Sequence, residues 1–278
     1  MDWVFFCHFV AELAAAAKRF KQYAGNVSLG ESQFGSIFMI ELKQVDGWKR
    51  SIEAISSFIS EGNFRFNESG IHLRAIDPSQ IVMVDFLMPR ASFERFDVEP
   101  NFVGIDLVEL SKIVSRALPS ERLKMDLTDS ELFLHLSGEF DKSFKLPLID
   151  VSEEDLALPK HKAECTVEIN ARILKEALKD ASIFGSAVVF KTVGKQFFVE
   201  ARGSNGQLVA VSKDSKHIRV SGSKDVLAKF SLNFLQNIIK EAGSDEDVLI
   251  ELKSDSPMKI SFPIAKNELR FFLAPMLL

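Results

Sequence analysis

Hydrophobic positions along the chain fall into two alternating rhythms. Trp48, Ile52, Ile55 and Ile59 recur at helical spacing, as do Leu107, Leu110, Ile113 or Val114, and Ala117. Leu174, Leu178 and Ala181 form a third stripe, and Leu235, Ile238 or Ile239, and Ala242 a fourth. Each predicted helix opens on a residue suited to capping an amino terminus, namely Asp46, Asp106, Asn170 and Ser231. Asp106 with Glu109 also has the spacing of a capping box. Between the stripes the period drops to two. Residues 63–67, 71–75, 81–87, 122–127, 131–136 and 143–148 read as strands, and the second half resumes the alternation from 187–190 onward.

The two halves repeat one another. Glu53-Ala54-Ile55 aligns with Glu176-Ala177-Leu178 at an offset of 123. Ile71, Leu73 and Ala75 meet Phe197, Val199 and Ala201 at 126, and Leu110, Ile113 and Val114 meet Leu235, Ile238 and Ile239 at 125. A duplication of this size predicts an α+β chain of two similar domains, each a mainly antiparallel sheet with two helices on one face. The expected boundaries are a first domain over 39–148, a polar connector over 149–162 and a second domain over 163–278. Residues 1–38 stand outside the repeat. Residues 3–23 have a helical look but are too broken by His8 and Glu12 to span a bilayer, and 24–37 read as a Gly/Ser-rich link. The segment is expected to be a dispensable appendage or the product of an upstream start, since Met39 begins the repeat unit, ahead of the alternative of a partner-binding or membrane-surface helix.

Charge and chemistry narrow the function. A net charge of -5 gives no global support for binding nucleic acid, so any basic surface must be local. The two cysteines, Cys7 and Cys165, lie in separate segments and offer neither a disulfide framework nor a metal site, which suits a reducing compartment. His8, His72, His135, His161 and His217 are scattered, and no phosphate loop, nucleophile elbow or metal-ligand motif appears. The expectation is a protein without catalytic residues, metal or cofactor.

Three runs carry a resemblance. Gly70-Ile71-His72-Leu73-Arg74-Ala75-Ile76-Asp77-Pro78-Ser79 is the first. The connector, Leu146-Pro147-Leu148-Ile149-Asp150-Val151 with Leu156-Ala157-Leu158-Pro159, is the second, and Leu269-Arg270-Phe271-Phe272-Leu273-Ala274-Pro275 the third. In this order, over residues 39–278, the chain resembles the proliferating cell nuclear antigen family, the sliding clamps of archaea and eukaryotes. The resemblance implies a trimeric ring, homomeric or heteromeric, with helices lining a hole that holds double-stranded DNA without sequence preference. It also implies a processivity factor that tethers DNA polymerase, clamp loader, flap endonuclease and DNA ligase. Its place would be the cytoplasm beside the nucleoid in an archaeon, or the nucleus in a eukaryote, with no membrane association. The alternative is a clamp-like scaffold, or a heteromeric subunit that forms no ring alone.

On the four helices, Lys49, Arg50, Lys112, Arg116, Arg172, Lys175, Lys179 and Lys240 outnumber Glu53, Glu109, Glu176, Asp180 and Glu241, a net +3. Arg172, Lys175 and Lys179 share one helical face. Taken alone, these residues read as a solvated helix face; the resemblance implies phosphate contact.

The resemblance further implies a pocket for partner peptides. Its lining would be Ile76, Gln80, Ile81 and Met83 from the first domain, and Leu156, Leu158 and Pro159 from the connector. Pro257, Phe272, Ala274 and Pro275 would complete it from the second. Read alone, each of these positions suits plain core packing, and for Ile81 and Met83 the two readings are about even. Two departures from the family pattern are Phe272, where a Tyr is common, and an ending Met276-Leu277-Leu278 in place of an acidic tail. The subunit interface would join edge strands: Ser143, Phe144, Lys145 and Leu146 from one domain with Leu208, Val209, Ala210, Val211 and Ser212 from another.

Overall fold

In this computed structural model the described residues are 38–150, 156–160, 162–213 and 215–277. Ile37–Leu278 make one compact unit. The expected extension, apart from Phe38, and the connector residues 151–155 and 161 lie outside the described residues.

The first half runs β1 (Met39–Leu42), α1 (Asp46–Ser56), β2 (Glu61–Asn67), β3 (Gly70–Ile76), β4 (Val82–Pro89), β5 (Arg95–Asp97), β6 (Asn101–Asp106), α2 (Leu107–Ser115), β7 (Arg122–Leu127), β8 (Glu131–Ser137) and β9 (Lys142–Pro147). The second runs β10 (Cys165–Asn170), α3 (Ala171–Ser182), β11 (Ala187–Val193), β12 (Gln196–Gly203), β13 (Gly206–Val211), β14 (Ile218–Gly222), β15 (Val226–Ser231), α4 (Leu232–Ile239), β16 (Asp247–Leu252), β17 (Met258–Ile264) and β18 (Asn267–Leu273). The strands pair antiparallel throughout, as the alternating sequence predicts. Phe38, just before β1, packs edge-on against Phe66 with centroids 5.0 Å apart.

Each half builds one five-stranded and one four-stranded sheet. In the first they are β5-β1-β7-β8-β9 and β4-β3-β2-β6; in the second, β14-β10-β16-β17-β18 and β13-β12-β11-β15. The halves are then fused. β18 pairs with β4 over Glu268↔Leu87 to Leu273↔Val82, merging two sheets into a nine-stranded sheet that crosses the boundary between halves. Apolar packing crosses it too. Phe58 stacks on Phe234 at 6.0 Å and meets Phe271 edge-on at 5.9 Å, so both halves share one apolar cluster.

The repeat is real, but the helical alignment needs correction. Phe64 pairs with Leu73 as Phe190 pairs with Val199, and Phe58 N donates to Ile55 O as Phe184 N donates to Ala181 O. Both relations fix the offset at 126, which places Ile55 against Ala181 and Lys49 against Lys175. An offset of 123 is a slip of three residues. Such a slip is close to one helical turn and leaves the apolar stripe nearly in phase.

Helix starts also differ in detail. Asp106 accepts from Glu109 N at 2.9 Å and Asn170 from Arg172 N at 3.2 Å, as expected of caps. Glu109 does not complete a capping box; its carboxylate pairs with Lys112 at 2.5 Å. Val45, not Asp46, is the first cap, and Asp46 lies inside the helix, 3.6 Å from Arg50. Ser231 precedes α4 without a side-chain bond. Ile81 and Leu148, expected in strands, sit just outside β4 and β9.

Candidate functional site

The helices form two pairs, α1 with α2 and α3 with α4, bridged across the halves where Arg50 Nη2 donates to Glu241 O at 2.5 Å. The eight expected cations are not equivalent on this layer. Lys49 Nζ donates to Ser115 O at 3.0 Å, and Lys175 Nζ donates to Lys240 O at 2.8 Å and Ala242 O at 2.7 Å. These two lysines occupy the same place in the two halves. Each satisfies carbonyls left unpaired at the carboxyl end of the neighbouring helix, where a cation also meets the negative end of the dipole. Burial pushes the Lys175 amine below its usual range, and the Glu241 carboxylate opposes that shift.

The remaining cations face water. Lys112 pairs with Glu109 at 2.5 Å, Lys179 with Glu176 at 2.7 Å and Lys240 with Glu241 at 3.8 Å. Such exposed pairs are weak and exchange readily with another anion. Arg116 and Arg172 are exposed, and their guanidinium groups have no partner among the described residues. The stripe of Arg172, Lys175 and Lys179 is therefore interrupted in the middle: Lys175 turns inward to the end of α4.

On the opposite, outer face of the nine-stranded sheet, strand register lines up several expected pocket residues. Ile76 lies opposite Met83, Met83 opposite Phe272, and Phe272 opposite Lys259. Ile81 O accepts from Ala274 N at 2.9 Å, joining the segments that flank this row. Ile76 is exposed, whereas Met83 and Phe272 are buried. Gln80, Leu158, Pro159 and Pro257 are exposed, and Ile81, Leu156, Ala274 and Pro275 half-buried.

A turn shapes the near end of the row. The Asp77 carboxylate accepts from Ser79 N (3.0 Å), Ser79 Oγ, Ile81 N (2.7 Å) and Val82 N (2.5 Å), holding Gln80 at φ 58°. Burial pushes that carboxyl up, but the four donors outweigh it and leave it below its usual range.

Sequence reasoning missed the anchor of the connector. Arg74 Nη1 donates to Leu156 O at 2.7 Å while its Nε reaches Asp85 at 3.1 Å, and Asp85 also pairs with Arg270 at 3.4 Å. Arg74, Asp85 and Leu156 border a cleft of about 180 Å³ that is also lined by His72 and Phe102. The signal was present as opposite charges on one face of neighbouring strands, with Arg74 and Arg270 both opposite Asp85 in register.

The expected interface residues lie at two sheet edges. Ser143, Phe144, Lys145 and Leu146 belong to β9, the last strand of the five-stranded sheet. Leu208, Val209, Ala210 and Val211 belong to β13, the last strand of the four-stranded sheet, with Ser212 just beyond it. Phe144, Leu208 and Ala210 turn toward the core, while Val209 and Val211 are exposed. Among the described residues there is no grouping of His, Cys, Asp and Glu suited to a metal ion, and no helix is long and apolar enough to cross a membrane.

Comparisons with known proteins match this architecture half by half. The family model for the proliferating cell nuclear antigen N-terminal domain matches residues 37–156, and that for the C-terminal domain matches 157–277. DNA polymerase sliding clamp 1 of Thermococcus kodakarensis is 30% identical over 239 residues, covering 83% of this chain and 96% of that protein. The DNA polymerase sliding clamp of Thermofilum pendens is 28% identical over 233 residues, covering 82% and 94%. Among solved structures, the antigen of Thermococcus kodakaraensis superposes with a TM-score of 0.82 at 23% identity, over 86% of this chain and all of that one. That of Entamoeba histolytica gives 0.80 at 23% identity, over 87% and all. With both halves matched in order, the chain belongs to the proliferating cell nuclear antigen family.

Proposed function

We propose that this protein is a DNA polymerase sliding clamp: a processivity factor that closes as a three-membered ring around duplex DNA and tethers replication and repair proteins. The observation that carries this reading is the joint between its own halves. Phe271 pairs with Ile260 as Phe144 pairs with Leu134, and Val84 pairs with Ala75 as Leu208 pairs with Ala201. β9 is thus the counterpart of β18, and β13 that of β4. Within the chain β18 and β4 are joined; β9 and β13 are left as edges.

Joining β9 of one copy to β13 of the next reproduces the internal joint, a heterologous contact that closes into a ring. The internal register, Phe271 opposite Val84, transfers as Phe144 opposite Leu208 and Ser143 opposite Val209. This pairing is sound because Phe144 and Leu208 both face the core. The number three comes from the family.

Arg172, Arg116, Lys112, Lys179 and Lys240 supply exposed positive charge on the helix layer for phosphates. Such contacts are weak and independent of sequence, which permits sliding, while enclosure provides retention. The row of Ile76, Met83 and Phe272 beside the connector supplies the apolar floor for a peptide carried by polymerase, nuclease or ligase. No side chain is assigned a chemical step.

Sedimentation of the purified chain tests assembly: three copies of the 31.1 kDa chain are expected. A monomer that closes only on mixing with other clamp subunits would replace this reading with the heteromeric one. Stimulation of a polymerase on primed circular DNA, lost on linear DNA with free ends, tests enclosure.

A further inference from the structure

Phe140 sits in the turn between β8 and β9 and is 80% exposed, a large apolar side chain with nothing in the described chain covering it. Its counterpart in the second half explains what is missing. Gly138 and Phe140 stand before β9 as Ile264 and Asn267 stand at the β17–β18 turn, given that Leu136 pairs with Lys142 as Phe262 pairs with Leu269.

Asn267 is only 1% exposed, because α1 covers it. Its Nδ2 donates to Gly47 O and to Ser51 Oγ, each at 3.0 Å, and the adjacent Ala265 comes so close that a Cβ on Gly47 would lie 3.1 Å from its own. The helical offset of 126 places Ile173 and Ala177 of α3 where Gly47 and Ser51 stand in α1. Both are half-buried apolar side chains on the flank of α3.

Both sides of the contact therefore change character together. The polar set Asn267, Gly47 and Ser51 inside the chain becomes the apolar set Phe140, Ile173 and Ala177. We propose that Phe140 docks against Ile173 and Ala177 of a second copy of this chain, forming an aromatic anchor beside the β9–β13 joint. A neighbouring pair agrees in charge. Arg50 in α1 reaches Glu241 O at the end of α4, and the counterparts are Glu176 in α3 and Arg116 at the end of α2, opposite in sign. This inference rests on the ring reading and narrows it: it assigns Arg116 to a neighbouring subunit and leaves Arg172 as the unpaired arginine of the helix layer.

The test uses the full-length chain at a series of concentrations, with Cys7 and Cys165 replaced by Ala for the cross-linking arm. Phe140→Ser is expected to leave the melting of the individual subunit unchanged. It should raise the concentration of half-assembly by about tenfold or more, the effect of removing an interfacial aromatic anchor. Phe140→Cys with Ala177→Cys is expected to give covalent chains of two and three subunits on mild oxidation, since disulfides form only between Cα atoms within about 7 Å. If the parent protein assembles, but Phe140→Ser assembles as tightly and the cysteine pair stays monomeric in denaturant, the anchor is wrong and the ring stands. If the parent protein itself stays monomeric at every concentration, the ring reading falls and this inference with it.

Discussion

Asn267 Nδ2 lies 3.0 Å from Ser51 Oγ, a buried hydrogen bond between a hairpin of the second half and a helix of the first. Ser51 Oγ extends the junction by donating to Gly47 O at 2.7 Å, and Asn267 donates to that same carbonyl. Asn267→Ala removes both donors to groups that water does not reach. A loss of about 1–3 kcal/mol is expected in urea unfolding, the net cost of two buried hydrogen bonds, with Ser51 Oγ and Gly47 O still bonded to each other. Indifference to the change would show that this junction is held by the Phe58 cluster and the strand ladder alone.

Capping lysines and free arginines separate by salt dependence. Arg172→Ala is expected to flatten the slope of log affinity for DNA against log salt, by about 0.9 for each phosphate that the arginine neutralises in the parent. Lys49→Met is expected to leave that slope nearly unchanged and to lower stability by about 1 kcal/mol through the uncapped end of α2. Equal slopes for the two variants would refute the division.

Acid should loosen the turn that floors the peptide row. The Asp77 carboxyl is held below its ordinary value of 3.8, so the folded state binds its proton less readily than the unfolded chain. The stability it contributes is fully present above that ordinary value and is lost as pH falls through the depressed one. Asp77→Asn is expected to be less stable than the parent at neutral pH, with the difference shrinking on acidification. Denaturant midpoints measured from about pH 7 down to about pH 3 check the trend, and a constant gap would contradict it.

Leu158→Asp tests the peptide row with little risk to the fold, because Leu158 is exposed. Binding of a partner peptide, followed by calorimetry, should be lost while the assembled mass is unchanged. Phe272→Glu should abolish binding too, but also lower stability, because Phe272 is buried opposite Met83 and Lys259. Full peptide affinity in both variants would place the pocket elsewhere.

Much of this was readable from residue order. The alternation at 71–75 and 197–201 located matching strands in both halves because a strand's side chains reverse face at every residue, so a wrong register destroys the pattern. Helices tolerate more. A three-residue slip keeps the α1 and α3 stripes superimposed, hiding the equivalence of Lys49 and Lys175 and with it their capping role. Charge counting could not tell a lysine folded onto a carbonyl from one facing water, since both look alike in sequence. The candidate pocket was legible only where residues share a strand ladder, as Met83 and Phe272 do. Arg74 escaped notice because Leu156 O meets it only when the connector crosses the sheet, although Asp85 lies directly opposite it in the β3–β4 ladder.

Nine strands hydrogen-bonded without a break from β14 to β6 tie the two halves into one continuous sheet, bolted further by Asn267 and Phe58 where the halves meet. A force acting across the joint between the halves therefore meets a continuous strand ladder and a shared apolar cluster. In the ring proposed above, the deformation would fall instead on the β9–β13 seams between chains, which have no covalent backbone running through them.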